Sequence, residues 1–223
     1  MCNLYSMTTA QDAIRQIFEG ITDNTGNLAA LPGIYPDTMA PVVRNGPDGP
    51  ELTMMRWGMP SPRSRISASG RDPGLTNIRN TASGHWRRWL GVENRCVVPM
   101  TSFCEPGKLP DWKKGNVWFA LDESRPLAFF AGIWTQWTSI RKVKEGKTTD
   151  ELYGFLTTDA NAVVKPHHPR AMPVILTSRD EVQTWLTAPT AEALALQRPL
   201  PDDALTIVAY GARQDEGSTL LHK

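Results

Sequence analysis

The chain has 223 residues, 40% hydrophobic and 21% charged, with 24 basic against 23 acidic residues for a net charge of +1. These proportions exclude disordered and fibrous classes, and a chain of this length can bury a real core. Its 17 glycines and 18 prolines predict many turns, short strands and few long helices.

Residues 3–6 read as a short strand, followed by a helix capped by Thr8 or Thr9 and ending near Gly20, with Ala13, Ile14, Ile17 and Phe18 on one face. From Gly20 to Pro50 the breakers in DNTGN, LPG and NGPDGP predict loop, with a strand at Pro41 to Arg44. Glu51 to Trp57 reads as a strand ended by Gly58-Met59-Pro60, and Pro62 to Gly74 as a polar, mobile stretch. A short helix is expected through Trp86 and Leu90, where Trp86 and Trp89 have core spacing. Strands follow at Arg95 to Pro99, Asn116 to Leu121, Leu127 to Ile133 and Glu151 to Thr157, then at Met172 to Leu176 and Ala204 to Tyr210. EPGKLPDWKKGN and RKVKEGKTTD separate them, the second as a solvated hairpin excursion. Helices are expected at Asp159 to Val164, from Ser178, where Ser178 and Glu181 form a capping box, and at Thr190 to Leu196. The fold class is therefore α+β: one compact domain over residues 1–223, around a curved, barrel-like mixed or antiparallel sheet with short peripheral helices.

No apolar run approaches the roughly 18 residues of a membrane span, and MCNLYSMTTAQD lacks the regions of a signal peptide, so a cytoplasmic protein without a membrane partner is expected. The three cysteines, Cys2, Cys96 and Cys104, fit neither a disulfide framework nor zinc spacing, and neither metal nor cofactor is expected. Cys96 and Cys104 read as small buried hydrophobes.

Charge is unevenly placed. Between Arg56 and Arg95 stand eight arginines against Asp72 and Glu93, a local excess of six positive charges that leaves the rest of the chain negative. Such a face is a plausible nucleic-acid footprint, the alternative being arginines paired with acids elsewhere. Arg79 could clamp a phosphate while Asn77, two residues away on an extended stretch, donates to a sugar, a base edge or the N-terminal residue. Trp57, followed by Gly58, is a candidate stacking plate, although tryptophans taken singly are more often structural.

Cys2 is the most informative position. Loss of Met1 would leave a 1,2-aminothiol, whose amine can form a Schiff base with an aldehyde and whose thiol can close a thiazolidine ring. The same group could instead hydrolyse an amide, and a small second residue also occurs by chance. Glu105, in an apolar setting after a strand, could act as a general acid or base, or be an exposed turn carboxylate. His167-His168 sits among prolines, where an imidazole could move a proton or simply lie at the surface.

Met1-Cys2, Trp57-Gly58, Asn77-Ile78-Arg79, Arg95-Cys96-Val97-Val98-Pro99 leading to Phe103-Cys104-Glu105, Phe130-Ala131-Gly132-Ile133-Trp134, Thr157-Thr158-Asp159-Ala160-Asn161 and His168-Pro169-Arg170-Ala171-Met172-Pro173 occur in an order that resembles the SOS response-associated peptidase (SRAP) family, the abasic-site processing proteins. The resemblance runs over nearly the whole chain. It implies a barrel-like α+β fold with a DNA groove, Cys2 as the residue bonded to DNA, Glu105 and His168 as its acid–base partners, and Asn77 and Arg79 holding the lesion and its phosphate. It further implies a stable thiazolidine crosslink to abasic sites in single-stranded DNA, self-removal of the initiator methionine, and a monomer that associates with the nucleoid when bound to DNA. An N-terminal-nucleophile amidohydrolase accounts for Cys2 but not the arginines. A noncatalytic single-strand-binding module accounts for the arginines but not Cys2, Glu105 and His168.

Overall fold

The computed structural model describes residues 2–217. Five strands close into a ring: Thr148–Thr158 pairs antiparallel with Ala128–Ser139, which pairs with Arg95–Met100, then Met39–Gly46, then Gly49–Trp57. The ring closes where Gly49–Trp57 lies parallel to Thr148–Thr158, through Leu152 opposite Arg56 and Tyr153 opposite Trp57. This is an α+β fold built on a closed mixed five-strand barrel, as expected. A second sheet runs in the order Thr206–Tyr210, Lys114–Ala120, Ser102–Lys108, Tyr5–Met7, Leu31–Ile34.

The aromatic and β-branched runs form the strands where the wall is buried on both faces, as over Ala128–Ile133 and Leu152–Thr158, while the far ends of these strands emerge into solvent. Arg95–Met100 is buried at every residue, with the helix Arg179–Thr187 against it. Trp185 of that helix donates its indole N–H to the carbonyls of Cys96 and Gly132, 2.9 and 3.0 Å away. Ser178 caps the helix by accepting from the Glu181 amide at 3.2 Å. Glu181 accepts from Thr177 N at 2.8 Å, one residue earlier than a reciprocal capping box requires.

Several elements differ from the sequence reading. The first helix is only Gln11–Arg15, and the helix expected at Asp159 to Val164 is a run of turns. There Asn161 Oδ1 accepts from Val164 N at 3.1 Å and its Nδ2 donates to Leu200 and Pro201 carbonyls, so the side chain takes over backbone bonding. EPGKLPDWKKGN is largely strand: Ser102–Lys108 and Lys114–Ala120 form a hairpin with Lys108 opposite Lys114. The strand expected over Met172 to Leu176 divides at Val174, Met172–Pro173 pairing with Thr157–Thr158 and Ile175–Leu176 with Phe129–Phe130. Among the described residues, no helix is long and apolar enough to cross a membrane.

Candidate active site

The Tyr5–Met7 strand sets the position of Cys2. Tyr5 lies opposite Phe103, and Cys104 N donates to Leu4 O at 2.9 Å, which lays the start of the chain alongside Glu105. Cys2 is fully buried, its thiol 3.3 Å from Leu4 O. Burial, with the nearby charge of Glu105 adding to it, holds that thiol well above the usual cysteine pKa, so Sγ rests protonated.

Asn77 reaches the site from a two-residue strand, Asn77–Ile78, that pairs with Phe155 and Leu156 of the barrel. Its Nδ2 donates to Cys2 O at 2.8 Å and to Thr76 Oγ1 at 2.7 Å, and Thr76 Oγ1 donates to Asn3 Oδ1 at 3.0 Å. Asn77 Oδ1 is buried with no partner among the described residues, which leaves one acceptor for an incoming donor.

Along Ser102–Lys108 successive side chains face opposite ways. Phe103 joins the main core, whereas Cys104 packs in a smaller cluster with Leu4 and Trp118. Glu105 shares the Phe103 side and is fully buried, and desolvation lifts its carboxyl to about 7. At neutral pH this group can give or take a proton. The Cys104 thiol next to it is pushed by burial up to about 12 and, like Cys96, packs as a small buried side chain.

His168 follows the turns that replace the expected helix. Its amide donates to Val164 O at 2.9 Å, and Nδ1 lies 2.7 Å from Ala171 O, the geometry of an Nδ1–H donor. That tautomer leaves Nε2 as the basic nitrogen of the neutral ring. Nδ1 also stands 4.0 Å from Glu105 Oε2, so the strand and the turn meet at these two side chains. The fold thus brings together Cys2, Asn77, Glu105 and His168 from four separate stretches of chain.

Two other sequence expectations change. Trp57 has no face for a base: it is fully buried, donates to Thr76 O at 3.2 Å, and packs against Tyr5, Tyr153 and Phe155. The barrel closure at Tyr153 draws it inward. The arginine-rich segment is not one face either. Arg56 is buried among Asp37, Glu145 and Asp150, and Arg95 donates to the carbonyls of Leu90, Trp185 and Ala188. Arg79 is exposed and pairs with Asp159 at 2.5 Å.

Sequence reading missed Tyr5 and Tyr153, whose hydroxyls meet at 2.6 Å in the core beside Cys2, and Thr76, which ties Asn77 to Asn3. Thr76 adjoins Asn77 and could have been noticed. Nothing in the sequence pairs the two tyrosines. Met1, whose removal the aminothiol chemistry requires, lies outside the described residues.

The comparisons agree with one another. The chain is 28% identical over 217 residues to the abasic site processing protein YoaM of Bacillus subtilis, covering 94% of this chain and 90% of that protein. It is 32% identical over 165 residues to YoqW of the same organism, also named an abasic site processing protein, covering 71% of this chain and 68% of that one. A crystal structure from Bordetella bronchiseptica superposes with a TM-score of 0.72 at 23% identity, covering 92% of this chain and 98% of the other. One from Bacteroides thetaiotaomicron gives 0.70 at 20% identity, covering 92% and 90%. The model of the SOS response associated peptidase (SRAP) family matches residues 1–212, and the chain belongs to that family.

Proposed function

We propose that this protein senses abasic sites in single-stranded DNA and bonds to them through Cys2 once Met1 is removed, shielding the lesion. The observation that carries the reading is the meeting of Cys2 and Asn77 with a buried carboxyl of pKa about 7 and a histidine 4.0 Å from it. The names of the two Bacillus relatives support the substrate class.

An abasic sugar equilibrates between a closed ring and a free aldehyde. Glu105, in its acid form, gives its proton to the ring oxygen as the C1–O ring bond breaks, and the C1 hydroxyl releases its proton to solvent as it becomes the aldehyde C=O. The Cys2 amine then attacks the aldehyde carbon, and the carbinolamine loses water to give an imine, with His168 moving the proton. Finally Sγ bonds to the imine carbon while the thiol proton goes to the nitrogen, which closes the thiazolidine. Ring closure removes the C=N bond that would otherwise lead to β-elimination. Asn77 fixes the Cys2 carbonyl, and with it the direction of the amine. Arg79 exchanges Asp159 for a DNA phosphate, a cheap exchange because exposed ion pairs are worth about 0–1 kcal/mol. The same thiol and its proton-transfer partners would serve to hydrolyse the Met1–Cys2 amide, a self-processing step in keeping with the family's peptidase name.

Denaturing electrophoresis on an abasic single strand, with and without borohydride, tests the chemistry. The parent protein should give an adduct that survives without reductant. Cys2→Ala, prepared with Met1 already removed, keeps an N-terminal amine but no trapping thiol, so its adduct should need borohydride and some strand should be cleaved. An equally stable unreduced adduct in Cys2→Ala would rule the thiazolidine out.

A further inference from the structure

Five arginines of the basic segment, Arg63, Arg65, Arg71, Arg87 and Arg88, are exposed and make no ion pair with any described carboxylate. They are the charge left over once Arg56 and Arg95 are buried and Arg79 is paired. Arg88 lies over the Trp89 ring at 3.9 Å and over the Trp137 ring at 5.6 Å. Trp89 meets Trp137 edge to face at 6.2 Å, and His85 and Trp86 back it from behind. Trp89 is buried, but Trp137 is 38% exposed, beside a cleft of about 280 Å³ lined by Gln136, Thr138 and Thr149. Asp150, opposite Trp137 on the next strand, is held by Arg56 and Thr148.

The arginine-bearing loop links this cluster to the cysteine site. It leaves the barrel at Met59, which pairs with Leu75 next to Thr76, the residue bonded to Asn3. At its far side Asp72 N donates to Ile140 O and Arg71 Nε to Arg141 O, just beyond Trp137. Unpaired guanidinium groups alone would suit any polyanion. Joined to an exposed indole held rigid by a second ring and a stacked arginine, they suit a strand that offers phosphates and unstacked bases together.

We propose that Trp137, backed by Trp89 and Arg88, receives an unstacked base of single-stranded DNA, while the loop arginines hold the phosphates leading from the Cys2 site. This rests on the reading of that site as one for abasic single strands.

The test is affinity for strands carrying an abasic analogue that lacks the aldehyde, one of about 5 nucleotides and one of about 20. Trp137→Ala should weaken binding of the long strand about tenfold and leave the short one unchanged, while Trp137→Phe retains the long-strand affinity. Both variants should crosslink a short abasic strand at the parental rate. Unchanged long-strand affinity in Trp137→Ala would overturn the proposal, as would equal losses in the alanine and phenylalanine variants. If the length effect holds but the parent forms no crosslink, the chemistry at Cys2 fails and this surface stands. If the parent binds neither strand, both readings fall.

Discussion

Glu105 sets the pH behaviour of the site. Its carboxyl is raised by burial to about 7 in the fold, whereas an exposed glutamate titrates near 4.3. Between those values the folded protein holds a proton the unfolded chain has lost, so stability is full below about pH 4 and declines as pH rises through 7. The loss is on the order of 3 kcal/mol. In Glu105→Gln this decline should vanish from denaturant midpoints measured across the range. Crosslinking should slow about 10²- to 10⁴-fold in the same variant, and the alkaline limb of its rate profile near pH 7 should disappear. An unaltered profile would take Glu105 out of the chemistry. Cys2 stands out in the sequence by its place after the initiator, whereas Glu105, His168 and Asn77 are each compatible with an ordinary turn or surface residue and are marked only by the order of motifs that resembles the family. Trp57 misleads because a tryptophan at a strand end, followed by glycine, offers itself as a stacking plate until the closing strand that buries it is known. Tyr5 and Tyr153 are 148 positions apart, and only the fold makes them a pair.

At the scale of elements, the Ser102–Lys108 strand and the turn before His168 are fitted to each other at Gly107. A Cβ at Gly107 would stand 2.8 Å from His167 Cβ and Nδ1 and 2.9 Å from Val117 Cγ2. His167 also packs edge-on to Phe119, so its ring wedges the turn against the hairpin that carries Glu105. Gly107→Ala should push this turn, and His168 with it, away from Glu105. A displacement of about 1 Å at a reacting group costs on the order of 10²-fold, so crosslinking should slow by about 10- to 100-fold while affinity for an unreactive strand holds. Parallel losses of rate and affinity would mean that the hairpin itself had been disrupted. The strands rich in Val, Phe and Trp could be read directly from the chain. Ser102–Lys108 could not, because Pro106 and Gly107 are turn residues in any local reading. Pro106 is tolerated at this place in the strand, and Gly107 is required by His167 rather than by a bend.

For the whole molecule, a net charge of +1 hides a division between paired and unpaired cations. The composition reveals the arginine excess but not which guanidinium groups the fold consumes, since Asp37, Glu145 and Asp150 reach Arg56 from distant strands and loops. Affinity for single strands should fall steeply with salt, and each phosphate contact removed should flatten the log–log slope by about 0.7. Replacing Arg63 and Arg65 together by Ala should therefore lower the slope by about 1.4. Titrations at several salt concentrations decide it, and an unchanged slope would place the strand elsewhere.

The barrel is closed by only two register pairs, Leu152 with Arg56 and Tyr153 with Trp57, against eight between Ala128–Ser139 and Thr148–Thr158. The joint between Met39–Gly46 and Arg95–Met100 is as short, with Val43 opposite Val97 and Arg44 opposite Cys96, but it is antiparallel. Parallel pairing is slightly weaker per residue, so the closing joint is where the wall should open at least cost and its amides should exchange earliest. Trp57 at the joint bonds Thr76, and Thr76 is linked through Asn77 to Cys2, so opening of the wall should loosen the N-terminus with it. A bound abasic strand should accordingly slow deuterium uptake at Gly58, whose amide donates to Tyr153 O at 2.7 Å across the joint, and leave the long antiparallel pair unaffected. In that event the DNA would act as the missing staple of the barrel, with the lesion-bound protein more resistant to proteases than the free one.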